Sequence, residues 1–129
     1  MPDRDRPTIL VIDDDAELLD SLKLVLELDG FAVATAENGV RGLQAFRNRE
    51  PAVVLLDMRM PKLDGIETIR QMRRERPNAK IVAMSGGGQV GAMNFAQAAL
   101  QSGAASAIEK PFDPKALTEL LRALLPKKS

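Results

Sequence analysis

Four places in the chain carry side chains able to hold a cation or meet an anion: Asp13-Asp14-Asp15, Asp57, Ser85 and Lys110. Adjacent carboxylates repel one another, and burying them costs more unless a cation is present. With no His and no Cys in the chain, imidazole and thiolate ligands, a Ser-His-Asp arrangement, Cys nucleophiles, disulfides and a phosphohistidine carrier are excluded. A metal held here must be a hard cation on oxygen ligands, which points to Mg²⁺, Ca²⁺ or Mn²⁺. A carboxylate attacking a phosphoryl group meets anion–anion repulsion. Mg²⁺ offsets it by binding carboxylates and phosphoryl oxygens together. The amine of Lys110 can neutralise another phosphoryl oxygen as a point charge, and a hydroxyl such as that of Ser85 can donate to a further one. The product would be an acyl phosphate on Asp57.

Each group also has a structural reading. Asp14 with Glu17 fits a capping box for the helix that follows, which accounts for one acid but not for a string of three. Asp57 can be a turn residue near Pro61. Ser85, before Gly86-Gly87-Gly88, can be an ordinary loop serine, and Lys110, before Pro111, a solvated lysine.

The elements that must position these groups alternate strand and helix five times. Thr8 to Ile12 and Val53 to Leu56 are continuous apolar runs of the buried parallel-strand type. Phe31 to Thr35, Ala79 to Met84 and Ala105 to Glu109 read as the other strands. Between the first two, Leu18, Leu19, Leu22, Val25 and Leu26 recur at helical spacing, and Gly30 ends the helix. Asn38 is a candidate cap for a helix running to about Glu50 and stopped by Pro51. A third helix covers about Gly65 to Glu75, a fourth about Ala92 to Gln101, and a fifth follows Asp113-Pro114 with Leu117, Leu120, Leu121 and Leu124 on one face. This order predicts an α/β fold, a doubly wound five-stranded parallel sheet with strand order 2-1-3-4-5 and helices on both faces, of flavodoxin type. Ligands of such sheets bind at the carboxyl ends of the strands. Asp13–Asp15, Asp57, Ser85 and Lys110 all fall at such ends, so the topology predicts that they converge. One domain is expected over residues 8–125, with tails at 1–7 and 126–129.

Composition narrows the partners. With 18 basic and 18 acidic residues the net charge is zero, against a broad electrostatic grip on nucleic acid. Arg70, Arg73, Arg74 and Arg76 form a local basic run, read either as a solvated helix face or as a surface for an anionic partner. No apolar stretch is long enough to span a bilayer and no signal-peptide pattern opens the chain, so a soluble, cytoplasmic protein without membrane insertion is expected.

The ordered set Ile12-Asp13-Asp14-Asp15, Leu55-Leu56-Asp57-Met58-Arg59-Met60-Pro61, Asp64-Gly65, Met84-Ser85-Gly86 and Lys110-Pro111-Phe112 resembles the receiver domain of two-component response regulators, the CheY-like family, over residues 8 to about 125. The resemblance implies that Asp57 is the phosphoacceptor and that Asp13, Asp14, Asp57 and the backbone carbonyl of Arg59 bind Mg²⁺, Asp14 directly and Asp13 partly through water. It implies that Lys110 contacts the phosphoryl group, that Ser85 sits at the switch position and that the Lys110–Pro111 peptide bond is cis. The donor would be a phosphohistidine on a histidine kinase or histidine phosphotransfer protein, and the output an unidentified downstream protein or domain. Such a chain is a signalling switch rather than a turnover enzyme.

Three departures from that family stand out. Ala107 occupies the position three before the lysine where receivers usually carry Tyr or Phe. The stretch from Ser85 to Lys110 is a few residues longer than usual. Arg59 and Gly87 lie where dephosphorylation is tuned. Rival readings are a phosphorylation-independent receiver used only for binding, a haloacid-dehalogenase-type phosphohydrolase and a flavodoxin-like FMN carrier. The hydrolase usually needs an Asp at the position of Arg59, and a cap domain. The FMN carrier needs a phosphate-cradling loop where three acids stand, and aromatic rings in a chain without Trp or Tyr.

Overall fold

The computed structural model describes residues 6–58, 65–86, 89–90 and 93–125. Along the chain run β1 (Thr8–Ile12), α1 (Ala16–Leu28), β2 (Ala32–Ala36), α2 (Gly39–Arg49), β3 (Val53–Asp57), α3 (Gly65–Glu75) and β4 (Ile81–Ser85). Then come two short strands, β5 (Gln89–Val90) and β6 (Met93–Asn94), followed by α4 (Phe95–Ser102), β7 (Ser106–Glu109) and α5 (Pro114–Leu124). The main sheet has five parallel strands in the order β2-β1-β3-β4-β7. This is the expected 2-1-3-4-5 arrangement.

Alternation along each strand divides the core into two layers. Leu10, Ile12, Val54, Leu56 and Ala83 face α2, α3 and α4, where Phe46, Ile69, Met72 and Ala99 cover them. Ile9, Val11, Val53, Leu55, Val82 and Met84 face α1 and α5, where Leu19, Leu22, Leu26, Leu117 and Leu121 cover them. Burial on both sides is why these strands read as solid apolar runs rather than alternating ones. Every residue of β3 and β4 is buried.

Two local expectations are corrected. The cap of α1 is Asp15, not Asp14: Asp15 has extended backbone (φ −89°, ψ 104°) and its side chain accepts from the N–H groups of Glu17 and Leu18. Only one of three successive acids can stand at the turn into the helix, and Asp14 is thereby left exposed and available. The fourth helix starts at Phe95 rather than Ala92, because Gln89–Val90 and Met93–Asn94 pair as a small antiparallel ladder. The other caps fall where the sequence places them, Asn38 accepting from Arg41 N–H and Asp113 from Lys115 N–H.

The basic run at the end of α3 and just past it is largely taken up by the fold. Arg73 donates to the Ala79 carbonyl at 3.2 Å, and Arg76 donates to the Phe46 carbonyl at 3.1 Å with its guanidinium 4.2 Å from the Phe46 ring centroid. Arg74 pairs with Glu67 at 3.2 Å. A forked pair, Arg47 with Glu75 at 2.8 and 2.6 Å, ties α2 to α3.

Candidate functional site

Asp13, Asp57, Ser85 and Lys110 each sit at or just past the last rung of a strand ladder. Asp13 N–H still donates to the Ala36 carbonyl at 3.1 Å, carrying the β1–β2 ladder one residue past Ile12. Asp57 closes β3, and the next N–H, of Met58, donates to the Met84 carbonyl at 3.0 Å. Ser85 closes β4, and its carbonyl accepts from Lys110 N–H at 2.7 Å, which ties the residue after β7 to the end of β4. The backbones of Asp13, Asp57, Ser85 and Lys110 are thus fixed by the sheet itself.

The side chains of Asp13, Asp57 and Lys110 meet in one open cleft of about 240 Å³, lined also by Asp14, Asp15 and Gly86. That is below the roughly 300–1,000 Å³ of pockets for drug-sized organic ligands, and it suits an ion with a small anion better than a flavin. Asp13 and Asp57 are buried while Asp14 is exposed, and carboxylate oxygens of all three lie within 4.8 Å of one another. Lys110 Nζ stands 2.6 Å from Asp13 Oδ2 and 3.7 Å from Asp57 Oδ1. Ser85 is 2% exposed, at the β4 end beside Asp57's strand. The expected cis peptide bond Lys110–Pro111 is present. The Arg59 carbonyl, Met60, Pro61, Asp64, Gly87 and Gly88 lie outside the described residues.

The donor set fits a hard divalent cation. Three carboxylates converge and one ammonium faces them, leaving two negative charges in a partly buried cluster with oxygen ligands only. Such a set favours Mg²⁺, Ca²⁺ or Mn²⁺ over softer metals. A role not read from the sequence belongs to Asp15. Besides capping α1, its backbone N–H donates to Asp13 Oδ1 at 2.9 Å, so Asp13 is held from both oxygens. The i to i+2 spacing of an Asx turn is the signal that pointed there.

The fold and the cleft define a receiver-type module, and comparison with known proteins agrees on that class. The model of the response regulator receiver domain matches residues 9–122, and the chain belongs to that family. Among curated proteins, the response regulator MprA of Mycobacterium sp. (strain KMS) is 37% identical over 91% of this chain and 50% of its own length. The transcriptional regulatory protein CpxR homolog of Haemophilus influenzae is 37% identical over 91% of this chain and 49% of its own. The chain thus spans about half the length of the curated relatives it matches. Among solved structures, a CheY-like receiver domain protein of Methanospirillum hungatei superposes with a TM-score of 0.84 at 30% identity, covering 92% of each chain. NtrX of Brucella abortus superposes with a TM-score of 0.84 at 30% identity, covering 92% of this chain and 27% of its own.

Proposed function

We propose that the chain accepts a phosphoryl group on Asp57 from a phosphohistidine donor, with Mg²⁺ as cofactor, and that the modification shifts the segment after β4 together with α4. The observation that carries this reading is the convergence of the Asp13, Asp14 and Asp57 carboxylates with the Lys110 amine in one cleft.

Asp13, Asp14 and Asp57 would hold the metal, with the Arg59 carbonyl as a further ligand. The cation supplies charge neutralisation where a carboxylate meets a phosphoryl group. An oxygen of Asp57 bonds to phosphorus as the donor's P–N bond breaks, and the donor imidazole leaves with that electron pair. Lys110, whose amine rests between Asp13 and Asp57, turns to a phosphoryl oxygen, and the Ser85 hydroxyl donates to another. These contacts exist only in the modified state, so they bias the equilibrium between two arrangements of the segment that starts at Ser85. No helix among the described residues is long and apolar enough to cross a membrane. The donor is a histidine kinase or histidine phosphotransfer protein, and the output is a protein surface or an attached module rather than nucleic acid bound by this domain.

The experiment is phosphoryl transfer from a histidine-phosphorylated phosphotransfer domain, with and without Mg²⁺. A Mg²⁺-dependent, hydroxylamine-labile label on the wild type, absent from Asp57→Asn, is expected. A label that persists in the variant, or steady phosphate-ester turnover, contradicts the reading.

A further inference from the structure

β4 and β7 pair with Ala83 directly opposite Ala107. Ala83 belongs to the core layer covered by α2, α3 and α4, and Ala107 packs against that same layer. Two methyl groups side by side make a low floor. The cover over it is incomplete, for Ala107 is only half-buried whereas Ala83 beside it on β4 is fully buried. The fully buried contacts of α4 are small, Ala98 and Ala99. The bulky group it brings to this layer is Phe95, its first residue, which is half-buried. Phe95 packs on the same layer as these alanines and α4 lies over β4 and β7, so its ring can seat over the alanines or turn outward. Ala83 lies two residues before Ser85, and Ser85 ends its strand at the acidic cleft.

We propose that Phe95 is the residue through which the state of Asp57 reaches α4. When Ser85 is drawn towards a phosphoryl group on Asp57, the ring seats more deeply over Ala83 and Ala107, and the first turn of α4 moves with it. The aromatic contact that Ala107 cannot make from the sheet is made from the helix instead. This rests on the phosphoacceptor reading. Phe95 is a positioning residue that touches none of the reacting groups.

The test uses the full chain with Mg²⁺ and beryllofluoride, a phosphoryl mimic, followed by amide and aromatic NMR. In the wild type, the Phe95 ring resonances and the amides of 96–102 shift together with those of Asp13, Asp14, Met58 and Lys110. In Phe95→Leu the cleft amides shift as before while the response of α4 falls to less than half. In Ala107→Val, which raises the floor, the ring response is lost and the cleft response kept. An unchanged α4 response in both variants, or a Phe95 ring that stays silent in the wild type, overturns the proposal while leaving the phosphoacceptor reading intact. Absence of any cleft response in the wild type overturns both.

Discussion

Asp13 is held at both oxygens, by Lys110 Nζ at 2.6 Å and by Asp15 N–H at 2.9 Å, so its carboxylate is oriented before a cation arrives. Asp57 shares the same amine at a longer 3.7 Å. Asp13→Asn removes a charge from the cluster and a partner from Lys110. Loss of groups that merely orient a metal ligand typically costs about 10–100-fold in affinity, so loss of a ligand charge is expected to weaken Mg²⁺ binding by at least about tenfold in a calorimetric titration. Asp15→Ala separates the two roles of Asp15. It removes the side-chain cap of α1 and costs about 1 kcal/mol in urea unfolding. Its backbone N–H still donates to Asp13, so Mg²⁺ affinity is expected to stay within about twofold. An Asp15→Ala variant that lost Mg²⁺ binding as badly as Asp13→Asn would mean that the third acid is itself a ligand.

Among the elements, the pair Arg47–Glu75 is a contact whose electrostatics respond to pH. The hydrogen bonds from Arg47 hold the Glu75 carboxyl below its ordinary value, and the same contact raises Arg47. A carboxyl lowered in the folded state stabilises above its unfolded value, and that contribution disappears as pH falls through the folded one. Wild type and Glu75→Gln are therefore expected to differ in unfolding midpoint at neutral pH and to converge under acid conditions. The difference is small because the pair is solvent-exposed. The strands were legible because burial on both faces leaves nearly uninterrupted apolar runs, as at Ile9–Ile12 and Val53–Leu56. The cap of α1 was not, because three identical side chains compete and only the backbone angles of Asp15 decide. The β5–β6 ladder pairs two residues with two, too short for any alternation to show. Nor does the chain near Arg76 reveal its partner, since the Phe46 carbonyl and ring come from α2. The converging cleft was legible from strand order alone, while the rest position of the Lys110 amine, nearer Asp13 than Asp57, required the coordinates.

For the whole molecule, the acidic cluster links stability to metal. A ligand that binds only the folded state stabilises it by about 2.7 kcal/mol at 100 times its dissociation constant. For a domain of this size that corresponds to a rise on the order of 10 °C in Tm. Saturating Mg²⁺ is expected to give such a rise in the wild type and far less in Asp13→Asn, read by differential scanning calorimetry. The most direct measurement of the phosphoacceptor assignment is the intact mass of the chain after incubation with acetyl phosphate, with and without Mg²⁺, for wild type and Asp57→Asn. A gain of one phosphoryl group that requires Mg²⁺ and disappears in Asp57→Asn is the expected result. A gain that survives in Asp57→Asn, or no gain in the wild type from either acetyl phosphate or a phosphohistidine donor, would contradict it and leave the domain as a phosphorylation-independent binding module.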